Sequence, residues 1–76
     1  MPPEYQRRFS QYIAGYFPED FHVAVEFSVG NEEALLIKIA TPKGAVASWD
    51  TTQAQALDIM AMGSIAELLL ARVMHS

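Results

Sequence analysis

From Phe21 onward the chain alternates. Phe21, Val23, Val25, Phe27 and Val29 stand at odd positions, with His22, Ala24, Glu26 and Ser28 between them. A period of two is that of a half-buried β-strand, so one strand is predicted here. Gly30-Asn31 supplies turn chemistry. A second strand from about Ala34 to Thr41 then places Leu35, Ile37 and Ile39 on one face and Leu36, Lys38 and Ala40 on the other. A hairpin with a loop of about three to five residues brings the two odd-numbered sets together. Glu26 and Lys38 then share the opposite face near cross-strand distance, an attraction of roughly a few tenths of a kcal/mol.

Thr41-Pro42-Lys43-Gly44 reads as a turn, with proline where a fixed φ helps and glycine where a positive φ is needed. A third, shorter strand from about Ala45 to Trp49 returns beside the second. With a two-residue loop, Val46 and Ser48 join the core face and Ala45, Ala47 and Trp49 lie outside. Asp50 and Thr51 are N-cap residues, and Gln53 completes a capping-box pattern. They predict one long helix to about Met74, roughly 35 Å at 1.5 Å per residue. Gly63-Ser64 falls inside it as a close-approach point or mild kink.

Before the strands, Pro2, Pro3 and Glu4 mark a helix entry. Tyr5, Phe9, Tyr12, Ile13 and Tyr16 form one helical stripe, and Gly15 and Pro18 end it. The predicted fold is therefore α+β over residues 1–76 as a single domain: a helix, a three-stranded antiparallel meander and a long C-terminal helix, with the helices on one face of the sheet.

Length now matters. A chain of 76 residues buries only about 60% of its unfolded surface. It has no cysteine for a disulfide or a zinc site, yet 51% of it is hydrophobic, so the missing stability is expected from packing or from a partner chain. The apolar excess concentrates in the C-terminal helix. Ile59, Met62, Ala66, Leu69, Leu70, Val73 and Met74 occupy one broad face; Leu57, Ala61, Ile65 and Leu68 occupy a second arc. A homodimer through this helix is expected, with Ile59, Met62, Ala66, Leu69, Leu70 and Val73 as interface residues. The competing expectation is that both arcs are satisfied inside the monomer. The outer sheet face is alanine-rich, and with Leu36 and Trp49 it forms a second expected docking surface.

Nine acidic side chains oppose five basic ones, for a formal net charge of −4. That balance argues against direct nucleic-acid binding, which draws on Lys and Arg to neutralise phosphates. Glu19 with Asp20, and Glu32 with Glu33, instead suggest an acidic rim attractive to a basic protein, or simple solubility charges. No stretch reaches the roughly 18 apolar residues of a membrane span, so a soluble, cytoplasmic protein is expected. Catalytic chemistry finds no purchase. His22 and His75 have no partner at metal-ligand spacing, the glycines form no phosphate loop, and no serine sits in a nucleophile elbow. No cofactor, metal or enzymatic activity is expected.

In size, acidity, lack of cysteine and absence of a catalytic constellation, the chain resembles the small phage-encoded inhibitors of bacterial defence, of which anti-CRISPR proteins are the familiar group. The resemblance spans the whole chain in general character and no motif carries it. It implies stoichiometric binding to a CRISPR or other nucleoprotein complex in the host cytoplasm. Glu19, Asp20, Glu32 and Glu33 would then occupy a basic surface meant for DNA, or Trp49 or the helix would block it sterically. The alternative is a structural or assembly subunit, such as a small virion component, whose apolar helix is a permanent interface.

Overall fold

A computed structural model describes residues 3–31 and 33–75. Pro2 and Glu32, both singled out above, lie outside the described residues. Helix α1 (Pro3–Ala14) is followed by strands β1 (His22–Phe27), β2 (Ala34–Ala40) and β3 (Val46–Thr52), then by a short helix α2 (Gln53–Leu57) and by α3 (Ile59–Met74). The strands form one antiparallel sheet in the order β1-β2-β3. The architecture is the α+β meander predicted.

The first hairpin has the predicted phase. Val23 stands opposite Ile39, Val25 opposite Ile37 and Phe27 opposite Leu35. Leu35, Ile37 and Ile39 are fully buried and share one core with Phe9, Ile13 and Phe17 of the α1 region, Ala56 of α2, and Met62, Ile65, Ala66, Leu69 and Val73 of α3. On the other face Lys38 Nζ lies 2.9 Å from Glu26 Oε2. The pair is diagonal, because Glu26 itself stands opposite Leu36.

The second hairpin corrects the sequence. Thr41 N–H donates to the Ala45 carbonyl at 2.8 Å, and Gly44 N–H donates to the Thr41 carbonyl at 3.0 Å. Thr41 and Ala45 therefore close the ladder around a loop of Pro42, Lys43 and Gly44, with Gly44 at φ 93°. A three-residue loop replaces the two-residue one, and a one-residue change in register moves every side chain of the strand to the other face. Val46 is 73% exposed, while Ala45, Ala47 and Trp49 pack against the core.

The long helix is also two helices. β3 runs on through Asp50 and Thr51, so these are strand residues, and Thr52 caps α2 by accepting from Gln55 N–H at 3.2 Å. The break comes at Asp58, which is extended at φ −80°, ψ 118°. Its Oδ1 accepts from Met60 N–H at 2.9 Å and Ala61 N–H at 3.1 Å. An aspartate carboxylate that satisfies the orphan donors of a new helix competes with continuing the old one. At Gly63, α3 runs through without a break. A Cβ there would meet nothing within 4 Å, so Gly63 is not a close-approach point.

Candidate protein-binding surface

Antiparallel pairing leaves the even-numbered side chains on the face away from the core. His22, Ala24 and Glu26 of β1 lie there with Leu36, Lys38 and Ala40 of β2 and with Val46, Ser48 and Asp50 of β3. A shallow depression of about 450 Å3 occupies part of this face, lined by His22, Ala24, Lys38, Ala40, Val46 and Ser48. Its polar lining is His22, Lys38 and Ser48, and Lys38 is paired with Glu26 beside it. The Lys38 and Glu26 side chains are about half exposed, so the ion pair itself is worth little to stability.

Trp49 is not on this face. It stands opposite Ile37 on the core side, partly buried, with the Arg72 guanidinium 5.0 Å above its ring. Arg72 Nη1 also donates to the Ser48 carbonyl at 3.2 Å. The tryptophan is thus a clamp between β3 and the end of α3 rather than an exposed anchor. Leu36 does lie on the outer face, opposite Glu26 and Asp50 and half-buried by its neighbours.

The acidic residues do not converge. Glu19 and Asp20 are exposed in the loop that enters β1, while Glu33 is exposed in the loop that leaves it. A strand of six residues separates them, about 20 Å at 3.3 Å per residue. A single acidic rim is therefore replaced by two separate charged loops at opposite ends of the sheet.

Most residues assigned to a helix-mediated dimer are core. Met62 and Leu69 are fully buried in the single chain, Ala66 and Val73 nearly so, and Leu70 packs partly against them. Met62, Ala66, Leu69 and Val73 have almost no surface to offer a second copy. Of the six, only Ile59 is exposed, at 76%, and it sits in the first turn. Of the second arc, Ile65 is buried, whereas Leu57 and Leu68 are about half exposed. A wheel drawn continuously through Asp58 joins the phases of two helices that the break uncouples. The apolar surface left on α3 is Ile59, Met60, Leu68 and Met74.

The helical stripe carries a tyrosine cluster whose hydroxyl contacts the apolar pattern did not foretell. Tyr5, Tyr12 and Tyr16 flank the buried Phe9 and Ile13 and keep their hydroxyls at the surface. Tyr5 donates to Gln53 Oε1 at 3.1 Å, and the Tyr12 and Tyr16 hydroxyls lie 3.2 Å apart, with their rings edge to face at 5.6 Å. The Tyr12 phenol is pushed up to about 12, first by its hydrogen bond with Tyr16, then by loss of solvent and by the charges of Tyr16 and Asp58. The available signal was tyrosine, rather than phenylalanine, at the edges of the stripe.

His22 is exposed on the outer face, and His75 caps α3 through its N–H to the Ala71 carbonyl at 3.1 Å. Among the described residues, no group of three or more histidines and carboxylates is placed to hold a metal ion. Nor is any described helix long and apolar enough to cross a membrane. Comparison with protein-family models, with curated proteins and with solved structures gives no match.

Proposed function

We propose that this chain is a non-enzymatic protein-binding module that docks through the outer face of its sheet. The observation that carries this reading is the shallow depression in which Ala24, Ala40 and Val46 lie among His22, Lys38 and Ser48. Small apolar side chains on a flat, rigid scaffold let a partner approach closely and exclude water. The partner class is the one that the resemblance to small phage-encoded inhibitors suggests: a nucleic-acid-binding defence complex in the cytoplasm, such as a CRISPR effector. Since Glu19 and Asp20 lie far from Glu33, steric occlusion by the sheet face suits the geometry better than an acidic imitation of DNA.

Immobilised protein, wild type and Ala40→Glu, tests this against a bacterial lysate. Wild type is expected to retain a nucleic-acid-binding protein that Ala40→Glu releases, with the circular dichroism of the two unchanged. Retention of the same protein by both removes the outer face from the account.

A second reading, a permanent assembly subunit, draws on the exposure of Met60 (84%) and Met74 (74%) on α3. It predicts the reverse pattern: Met60→Glu releases the partner and Ala40→Glu does not.

A further inference from the structure

The two free edges of the sheet differ. In β3 the pairing of Thr41 with Ala45, and the donation of Gln53 N–H to the Glu33 carbonyl at 2.8 Å, turn the even-numbered ladder groups outward. Arg72 occupies one of them, the Ser48 carbonyl, and Asp50 sets a charge on the same edge. In β1 the Ser28 N–H donates to the Ala34 carbonyl at 3.1 Å. That parity directs the ladder groups of His22, Ala24 and Glu26 to β2 and those of Val23 and Val25 outward. Among the described residues, no hydrogen bond reaches these outward groups.

β1 holds no proline and no lysine, and its one carboxylate, Glu26, is paired with Lys38. Val23 and Val25 face the core and are partly buried there, yet each keeps some surface beside the edge. The flank of α1 nearest to it carries Gln6, which borders the same hollow as Val25 and Phe27. Ser10 and Ala14 follow Gln6 at helical spacing. These are modest side chains that let another helix pass close by.

We propose that β1 pairs antiparallel with β1 of a second copy, in a register centred on Ala24, to give one continuous sheet. In that register Val23 faces Val25 of the second copy and exchanges both ladder bonds with it. His22 faces Glu26 of the second copy across a non-hydrogen-bonded pair, where side chains lie closest. Glu26 engages Lys38 through Oε2, which leaves Oε1 for the imidazole N–H. A register centred on Val25 instead sets Ala24 against Glu26 and loses this complementarity. The Ala24 register also lays the two outer faces side by side as one broader platform.

Light scattering over a dilution series tests the pairing. The mass is expected to rise from 8.4 kDa to twice that value with concentration. Val23→Pro deletes an outward N–H that the chain itself does not use, and is expected to hold the protein monomeric. His22→Glu, on the exposed face, sets like charges opposite each other twice per dimer and should raise the dissociation constant roughly tenfold. Adding Glu26→Lys to it should restore the affinity. If Val23→Pro fails to fold, the charge reversal and its rescue decide the matter. A monomeric mass at every concentration, or a dimer that both His22→Glu and a folded Val23→Pro leave intact, overturns the proposal.

Discussion

Ile37 and Lys38 are neighbours in the central strand, and they live in different worlds. Ile37 is 0% exposed, between Val25 and Trp49 on the core face. Lys38 is open to solvent beside Glu26 on the other face. The same backbone serves both, so parity along a strand decides whether a residue stabilises the chain or remains free for recognition. A substitution on the odd face should be read in stability and one on the even face in binding.

The largest effect expected is at Leu69, fully buried in α3. Leu69→Glu places an unpaired charge in the core, at a cost of about 4 kcal/mol or more, and leaves the chain unfolded by circular dichroism. Leu36→Glu, on the even face, should shift the melting temperature by only a few degrees. A cooperative melt for Leu69→Glu would break the distinction.

Next comes Asp58, which starts α3 through two accepted hydrogen bonds. Asp58→Ala should cost about 1 kcal/mol in denaturant unfolding, with Asp58→Asn close to wild type. Arg72→Ala removes both the contact over Trp49 and the bond to the Ser48 carbonyl. A loss of about 1 kcal/mol and altered emission from the single tryptophan are expected. Unchanged emission would place Trp49 elsewhere.

The smallest effect is at alkaline pH. The Tyr12 phenol stands at about 12 against an ordinary 10.0. The folded value lies above the unfolded one, so the stability tied to the protonated phenol is whole below pH 10 and is lost as pH rises toward 12. A phenolate absorbance titration should show a component well above the ordinary 10.0, and Tyr16→Phe should bring that component down.

The two hairpins explain how much of this was legible. In the first, alternation on both strands is strong enough that only one phase buries Val23, Val25, Leu35, Ile37 and Ile39 together, whatever the loop length. In the second, β3 sets Val46 and Ser48 on one face against Ala47 and Trp49 on the other, with little contrast between them, so its phase hung on the loop. One extra loop residue inverted it and carried Trp49 from the outer face to the core. The break at Asp58 hid for a related reason: a lone aspartate in an apolar run looks like a surface charge, and only its accepted hydrogen bonds show it to be a cap. Leu36 stayed on the outer face because β2 kept its phase. The helix interface failed because apolar periodicity does not distinguish a residue that faces its own sheet from one that faces another chain.

The absence of cysteine makes the central claim directly measurable. Single cysteines at positions 37 and 40, introduced as Ile37→Cys and Ala40→Cys, report the two faces of β2 by their rate of thiol labelling. Ala40→Cys should label nearly as fast as a free thiol and become protected when the captured partner is added. Ile37→Cys should label roughly a thousandfold more slowly, as a site opened only by global unfolding does. Rapid labelling at Ile37→Cys, or an Ala40→Cys thiol that stays reactive in the complex, would contradict a buried odd face and a docking even face.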